Sequence, residues 1–138
     1  MSNPYGNSDD IAKLILRITL GGLLLVHGIT KILHGIGRIT QAVTAAHLPA
    51  FFAYGVYAGE VLAPLLIILG LWTRPAALVV AVDLIFAVAL VAWPRGAVLG
   101  PGGGWGLELE AFYFLIAIVL LIAGGGKYSL TRKKIPWE

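Results

Sequence analysis

Long apolar segments dominate this sequence, and each has about the length that a helix needs to cross a lipid bilayer. A hydrocarbon core of ~30 Å takes about 20 helical residues to span. Four segments meet this requirement: residues 11–33, 50–72, 75–93 and 106–124. They are continuously apolar rather than alternating, which favours helices over a transmembrane β-barrel. The sequence therefore predicts one domain over residues 1–138, an all-α, membrane-embedded four-helix bundle with both termini on the same side.

The composition excludes an ordinary soluble domain. Hydrophobic residues make up 59% of the chain and charged residues 12%, against about 45–50% and about 25% in typical soluble domains. The chain also has no cysteine. It therefore cannot run a thiol–disulfide relay, hold an iron–sulfur cluster through thiolates or build a thiolate zinc site.

Basic residues near the ends of the segments predict the orientation in the membrane. The side that carries the termini holds six of them: Lys13, Arg74, Lys127, Arg132, Lys133 and Lys134. The other side carries Arg38 and Arg95, with Lys31 at the edge of the first segment. The positive-inside rule then places both termini in the cytoplasm. The net charge of +3 is on this interpretation a topology signal, and no nucleic-acid partner is predicted.

Ionisable residues inside the apolar segments are the strongest functional signal. A charge at mid-bilayer costs about 2.5–3.5 kcal/mol on insertion scales, so each one predicts a partner or a function. His27 and Lys31 are one helical turn apart and share a face of the first segment, and Glu60 lies near the middle of the second. With residues of the fourth segment they predict a ligand pocket in the outer half of the bundle, formed by His27, Lys31, Tyr57, Glu60, Glu110 and Tyr113.

Glu110 is preferred to Glu108 as the pocket acid of the fourth segment. Residues two apart on a helix point about 160° away from each other, so only one of them faces the bundle. The face of Glu110 continues with Tyr113 and small residues. Two simpler interpretations stay open: Lys31 extends to the outer headgroups, and His27 is a packing residue.

Two further ionisable residues of the apolar segments are Arg17 and Asp83. At ~1.5 Å per residue, Arg17 and Asp83 lie at similar depths from the cytoplasmic side, which predicts a structural Arg17–Asp83 ion pair.

His27, Glu60 and Glu110 offer nitrogen and oxygen ligands for a metal ion. The sequence has no HxxxH or ExxH pair, however, and no metal site is predicted.

Three stretches resemble the DoxX family of small membrane proteins. They are "LRITLGGLLLVHGITKIL", "GEVLAPLLIILGLWTRPAALVVAVDLIFAVAL" and "LELEAFYFLIAIVLLIAGGGKYSL". One difference is Thr131, where the family often has an aspartate after "SL". The resemblance implies a bacterial or archaeal inner-membrane protein with four helices. Some members are associated with thiosulfate:quinone oxidoreductases and others with oxidative-stress complexes, whereas many have no assigned activity.

Three functions follow as hypotheses. The first is a subunit of a quinone- or sulfur-linked oxidoreductase with no redox centre of its own, in which quinone is the possible cofactor. Electrons would come from a partner subunit or from a small anion held at the outer side by Arg38 and Arg95. The second is a non-catalytic scaffold or accessory subunit. The third is a small oligomeric transporter or lipid-binding protein, and whether the chain is an enzyme stays open.

Overall fold

Helices account for the regular structure of the chain. The structure is a computed structural model that describes residues 6–131. Within that range the extended pairing is limited to a single bridge between Leu99 and Trp105. The helices are α1 Gly6–His34, α2 Gly37–Ala45, α3 Ala50–Leu69, α4 Thr73–Ala97 and α5 Glu108–Ala123. The predicted all-α class is confirmed.

Three of these helices are long and apolar enough to cross a membrane: α1, α3 and α4. The helix in the predicted fourth segment, α5, has 16 residues. At ~1.5 Å per residue it is about 24 Å long, shorter than a typical hydrocarbon core. It begins after the glycine-rich loop and ends at Gly124, whose φ of 73° leaves the helical region. Glycine at both ends therefore shortens the helix relative to the apolar segment.

Proline and glycine act differently at the other helix ends. Gly70 ends α3 in the left-handed conformation with φ 68°, as glycine does at helix C-termini. Pro94 does not end α4, which continues through a 3₁₀ turn, Trp93–Ala97. The predicted end at residue 93 is thus four residues short. A 3₁₀ turn accepts proline in its first positions, because the N–H groups there need no partner within the helix.

Two π-helical turns interrupt the long helices. One spans Ala58–Leu62 in α3 and the other Val88–Ala92 in α4. Such turns are rare and occur often at functional sites. Each one shifts the angular phase of the residues that follow, so a face drawn at 100° per residue does not run straight through it.

Small residues bring the helices into close contact. The buried core includes Ala63 of α3, Ala77 and Val80 of α4, and Ala117 and Leu120 of α5. Large apolar side chains point outward instead, among them Ile15, Val26, Leu62, Ile85, Phe112 and Ile122. Small side chains thus share the core with large ones such as Leu20 and Ile67, and many large apolar side chains face outward, which suits a protein surrounded by lipid.

Arg17 closes the end of the molecule where α1 begins, and here the predicted ion pair is wrong. Arg17 is 1% exposed. Its guanidinium donates to the carbonyl oxygens of Ile67 at 2.8 Å, Ile68 at 2.7 Å and Gly125 at 3.0 Å. No salt bridge joins it to Asp83 among residues 6–131.

Arg17 and Asp83 do not pair because they lie beside different positions along α3. Arg17 packs beside Gly70, whereas Asp83 packs beside Gly59. These glycines are eleven residues apart on α3, which corresponds to about 16 Å. The first turns of α1 extend past the ends of the neighbouring helices, alongside Gly126. Counting residues from position 11, the start of the first apolar segment, therefore overestimates how far Arg17 lies inside the bundle.

Candidate functional site

A cavity of about 650 Å³ lies between the helices, toward the end that carries α2. Its walls are mainly apolar and come from α1 to α5, with Phe52 and Val56 from α3 and Leu78, Val82 and Phe86 from α4. The ionisable residues that line it are His27, Lys31, Glu60, Asp83, Arg95, Glu110 and Tyr113. The volume is within the range of small-molecule sites, which are mostly apolar with a few convergent polar groups.

An ion pair between Lys31 and Glu60 links α1 to α3 at this cavity. Lys31 Nζ donates to Glu60 Oε1. The Glu60 side chain is 7% exposed and that of Lys31 is 26% exposed. The helices can approach this closely because Gly28 has no side chain: a Cβ there would overlap the Glu60 carbonyl oxygen. The structure thus brings together two residues that the sequence assigns to the pocket.

Glu60 lies on the π-helical turn Ala58–Leu62, and the turn separates it from its predicted neighbour Tyr57. Tyr57 is not among the cavity-lining residues. Its hydroxyl donates to the Lys31 carbonyl oxygen at 3.4 Å, near the end of α1. Tyr57 therefore supports the helix that carries Lys31 rather than the cavity itself.

Asp83 is the cavity residue that sequence reasoning assigned elsewhere. It lines the cavity with Glu60 and Lys31. Its carboxyl group lies against Gly59, where a Cβ would overlap it. Asp83 is half-buried there, and Glu60 Oε2 is buried with no donor among residues 6–131. The glycine directly before Glu60 is the sequence signal that could have suggested a close neighbour there.

A second ion pair lies at the rim of the cavity. Arg95 Nη2 donates to Glu110 Oε1 at 2.5 Å, and the Arg95 side chain is 58% exposed. Glu110 lines the cavity whereas Glu108 is exposed, which is the orientation that the spacing predicted. Arg95 was predicted as an outer anion contact, but its charge is countered by Glu110. Arg38 is an exposed residue of α2.

His27 and Tyr113 meet across the cavity, between α1 and α5. Their ring centroids are 6.1 Å apart and the planes are inclined by 77°, an edge-to-face arrangement. Tyr113 is 6% exposed. Two hydrogen-bonding side chains thus lie near the Lys31–Glu60 pair. Among the described residues, no group of three or more His, Cys, Asp or Glu side chains is placed to hold a metal ion.

The cavity has a polar part and an apolar part. One part of the cavity offers ammonium, imidazole, phenol and carboxyl groups, and the rest offers aliphatic and aromatic walls. Electrostatic interactions and hydrogen bonds are stronger in such surroundings than in water. A ligand with a polar head and an apolar body would satisfy both parts.

Comparison with known proteins identifies the family. The family model DoxX matches residues 12–93, more than half of the chain. The chain belongs to the DoxX family. The matched region contains His27, Lys31, Glu60 and Asp83, whereas the rim pair Arg95–Glu110 lies outside it.

The relatives carry little assigned chemistry, and one of them is named as a membrane protein. An uncharacterized membrane protein of Mycobacterium tuberculosis is 32% identical, with 87% of this chain and 79% of that protein covered. An uncharacterized protein of Haemophilus influenzae is 29% identical, with 86% and 87% covered. A Bacillus subtilis protein named "Putative oxidoreductase CatD" is 34% identical over 61% of this chain and 62% of that protein. No solved structure matches the chain.

Proposed function

We propose that this DoxX protein is a membrane subunit of an oxidoreductase system and binds a quinone in the cavity. The observation that carries the proposal is the cavity itself, with apolar walls and the Lys31–Glu60 ion pair at one part of its surface. Buried charges in a membrane protein mark a functional site by default. The name of the Bacillus subtilis relative supports a redox role.

The residues present fit a quinone. A quinone ring carries two carbonyl acceptors and, in membranes, an apolar tail. Lys31 Nζ, the Tyr113 hydroxyl and the His27 ring are donors that line the cavity, in addition to Arg95, which is paired with Glu110 at the rim. The walls from α3 and α4 are apolar and suit a ring and a tail. The polar groups would fix the orientation of the head, and the apolar area would supply most of the affinity.

The chain's own residues would bind, orient and hold protons. A bound quinone would supply the two-electron chemistry, with electrons from a partner subunit or a small anionic donor. Lys31 would favour negative charge near a carbonyl oxygen, because an ammonium group acts strongly in a site of low dielectric constant. Glu60 would keep Lys31 in place, and the apolar walls would exclude water.

We also propose that α5 crosses the membrane with α1, α3 and α4 as a four-helix bundle with both termini in the cytoplasm of an inner membrane. Support comes from the basic residues Lys13, Arg74 and Lys127 at the end of the molecule that holds Arg17. The cysteine-free sequence makes labelling of single cysteines direct. An impermeant maleimide should label Gln41→Cys in intact cells and Lys127→Cys only after permeabilisation. The reverse pattern would overturn this topology.

Photolabelling tests the quinone site. A photoreactive short-chain quinone should label cavity residues of the purified full-length protein, and excess unreactive quinone should compete. Ala87 lines the cavity on α4, so Ala87→Phe fills it and should lower labelling at least five-fold. Ala58→Phe adds the same side chain at an exposed position of α3 and should leave labelling unchanged.

The same experiment separates the alternatives. A scaffold would show labelling only on outward residues such as Val119, with no effect of either substitution. A lipid-binding protein or transporter would show cavity labelling that phospholipid suppresses as well as quinone does. Either outcome would overturn the quinone proposal.

A further inference from the structure

The charges around Glu60 do not balance. Lys31, Glu60 and Asp83 line the same cavity, and together they comprise two carboxyl groups and one ammonium group. Lys31 occupies Glu60 Oε1. If both acids were ionised, this apolar region would carry a net negative charge, which is costly in a membrane interior.

Hydrogen-bond geometry shows the same imbalance. Glu60 is 95% buried as a residue, since 5% of its surface is exposed. Its second oxygen, Oε2, accepts no hydrogen bond from residues 6–131. Asp83 comes from α4 and lies against Gly59, the residue before Glu60. A buried carboxylate oxygen without a donor is unfavourable, and a proton on either acid would supply that donor.

We propose that Glu60 and Asp83 share one proton inside the membrane and form a proton-binding site. The O–H of one carboxyl group supplies the donor that the other lacks, while Lys31 holds Glu60 Oε1. One proton makes the group of three residues electrically neutral and removes the repulsion between two carboxylates. The site needs no bound quinone, and so it stands independently of the proposed function.

Other titratable groups face the same cavity. His27 on α1 meets the ring of Tyr113 on α5, and Arg95 is paired with Glu110 at the rim. Neither pair donates a hydrogen bond to Glu60 Oε2 in the described part of the chain. The shared proton is therefore assigned to the two acids, with Lys31 as their nearest cation.

Infrared spectroscopy tests the site on the full-length protein in detergent, stripped of quinone. At neutral pH the wild type should show the C=O stretch of a protonated carboxylic acid, which shifts in D₂O and disappears at higher pH. Asp83→Asn and Glu60→Gln should each remove it. Asp10→Asn should retain it, because Asp10 lies outside the cavity and accepts a hydrogen bond from the Lys127 backbone N–H.

The outcomes are distinct. Loss of the band in both cavity variants and its retention in Asp10→Asn would support the shared proton. Absence of the band in folded wild-type protein, or its persistence in both cavity variants, would overturn it. If one cavity variant fails to fold, the other decides the result. Because no quinone is added, failure of quinone binding would leave this result unaffected.

Discussion

The two ends of the molecule bury charge in opposite ways. At the end where α1 begins, called the closed end, the Arg17 guanidinium donates to the carbonyl oxygens of Ile67, Ile68 and Gly125 at 2.7 to 3.0 Å. At the opposite end, called the cavity end, Lys31 donates a hydrogen bond to one oxygen of Glu60. The other oxygen of Glu60 has no donor within residues 6–131. The closed end is packed around Gly70 and Gly125, whereas the other end contains a cavity of about 650 Å³ beside the close contacts at Gly28 and Gly59.

This difference separates a structural role from a functional one. Arg17 neutralises the carbonyl end of α3 and fixes the segment around Gly125, which is what a cation at a helix C-terminus does. Acceptors without donors next to a cavity cost stability and are retained where a ligand or proton uses them. Substitutions at the closed end should therefore affect stability, and those at the cavity end should affect binding.

The largest expected effect is on stability and comes from Arg17→Met. The carbonyl oxygens of Ile67, Ile68 and Gly125 would lose their donor. We expect unfolding free energy to fall by about 3–5 kcal/mol, because hydrogen bonds to charged groups contribute about 1.5–3 kcal/mol each and do not add fully. Thermal unfolding in detergent measures this.

Arg74→Met is the matched control for Arg17. Arg74 lies at the same end and donates to the Ile122 carbonyl oxygen at 3.0 Å, in a more exposed place. We expect a loss of about 1 kcal/mol or less. Equal losses for the two variants would contradict the distinct role of Arg17.

The contact between α1 and α3 gives the second prediction. A Cβ at Gly28 would overlap the Glu60 backbone, whereas one at Gly22 would meet nothing within 4 Å. Gly28→Ala should therefore push the helices apart and cost about 1–3 kcal/mol, and it should weaken quinone binding. Gly22→Ala should be neutral or slightly stabilising. The comparison fails if melting temperatures of the two variants agree.

Glu60→Gln should affect stability less than Arg17→Met does. Lys31 loses its charged partner, but its side chain is 26% exposed and can move its ammonium group toward the interface. We expect a loss of about 1–2 kcal/mol in unfolding free energy. A loss as large as that of Arg17→Met would mean that the cavity charges are mainly structural.

The rim pair should have the smallest effect. Arg95→Gln breaks a pair whose arginine is 58% exposed. Exposed ion pairs contribute about 0–1 kcal/mol, so thermal stability should change by less than that. Added salt should reduce the difference between wild type and variant further, and an effect above about 2 kcal/mol would show that the pair is structural.

Sequence reasoning identified the parts of this site that depend on local spacing. The one-turn spacing of His27 and Lys31, and the phase of Glu110 relative to Glu108, follow from regular helix geometry. Both spacings agree with the observed positions at the cavity. The acid that Lys31 meets could also be anticipated, because an unpaired charge is costly in lipid.

The features that were missed depend on where helices begin and where they change pitch. Asp83 was placed beside Arg17 because the overhang of α1 is not readable from an apolar pattern. Regular helix geometry predicts that Tyr57 shares a face with Glu60, but the π-helical turn Ala58–Leu62 alters the phase between them. Gly59 indicates a close neighbour for α3 without showing that it is Asp83. The helix overhang and the π-helical turn depend on packing between helices and cannot be read from the apolar pattern.

Quinone affinity is the measurement that tests the functional assignment of the cavity end most directly. Dissociation constants for one short-chain quinone should be measured with wild type, Glu60→Gln and Arg95→Gln in the same detergent and lipid. We expect binding at least ten-fold weaker for Glu60→Gln, equivalent to about 1.4 kcal/mol, and a change of less than about three-fold (~0.65 kcal/mol) for Arg95→Gln. Equal affinities for all three folded proteins, or no binding to wild type, would contradict it.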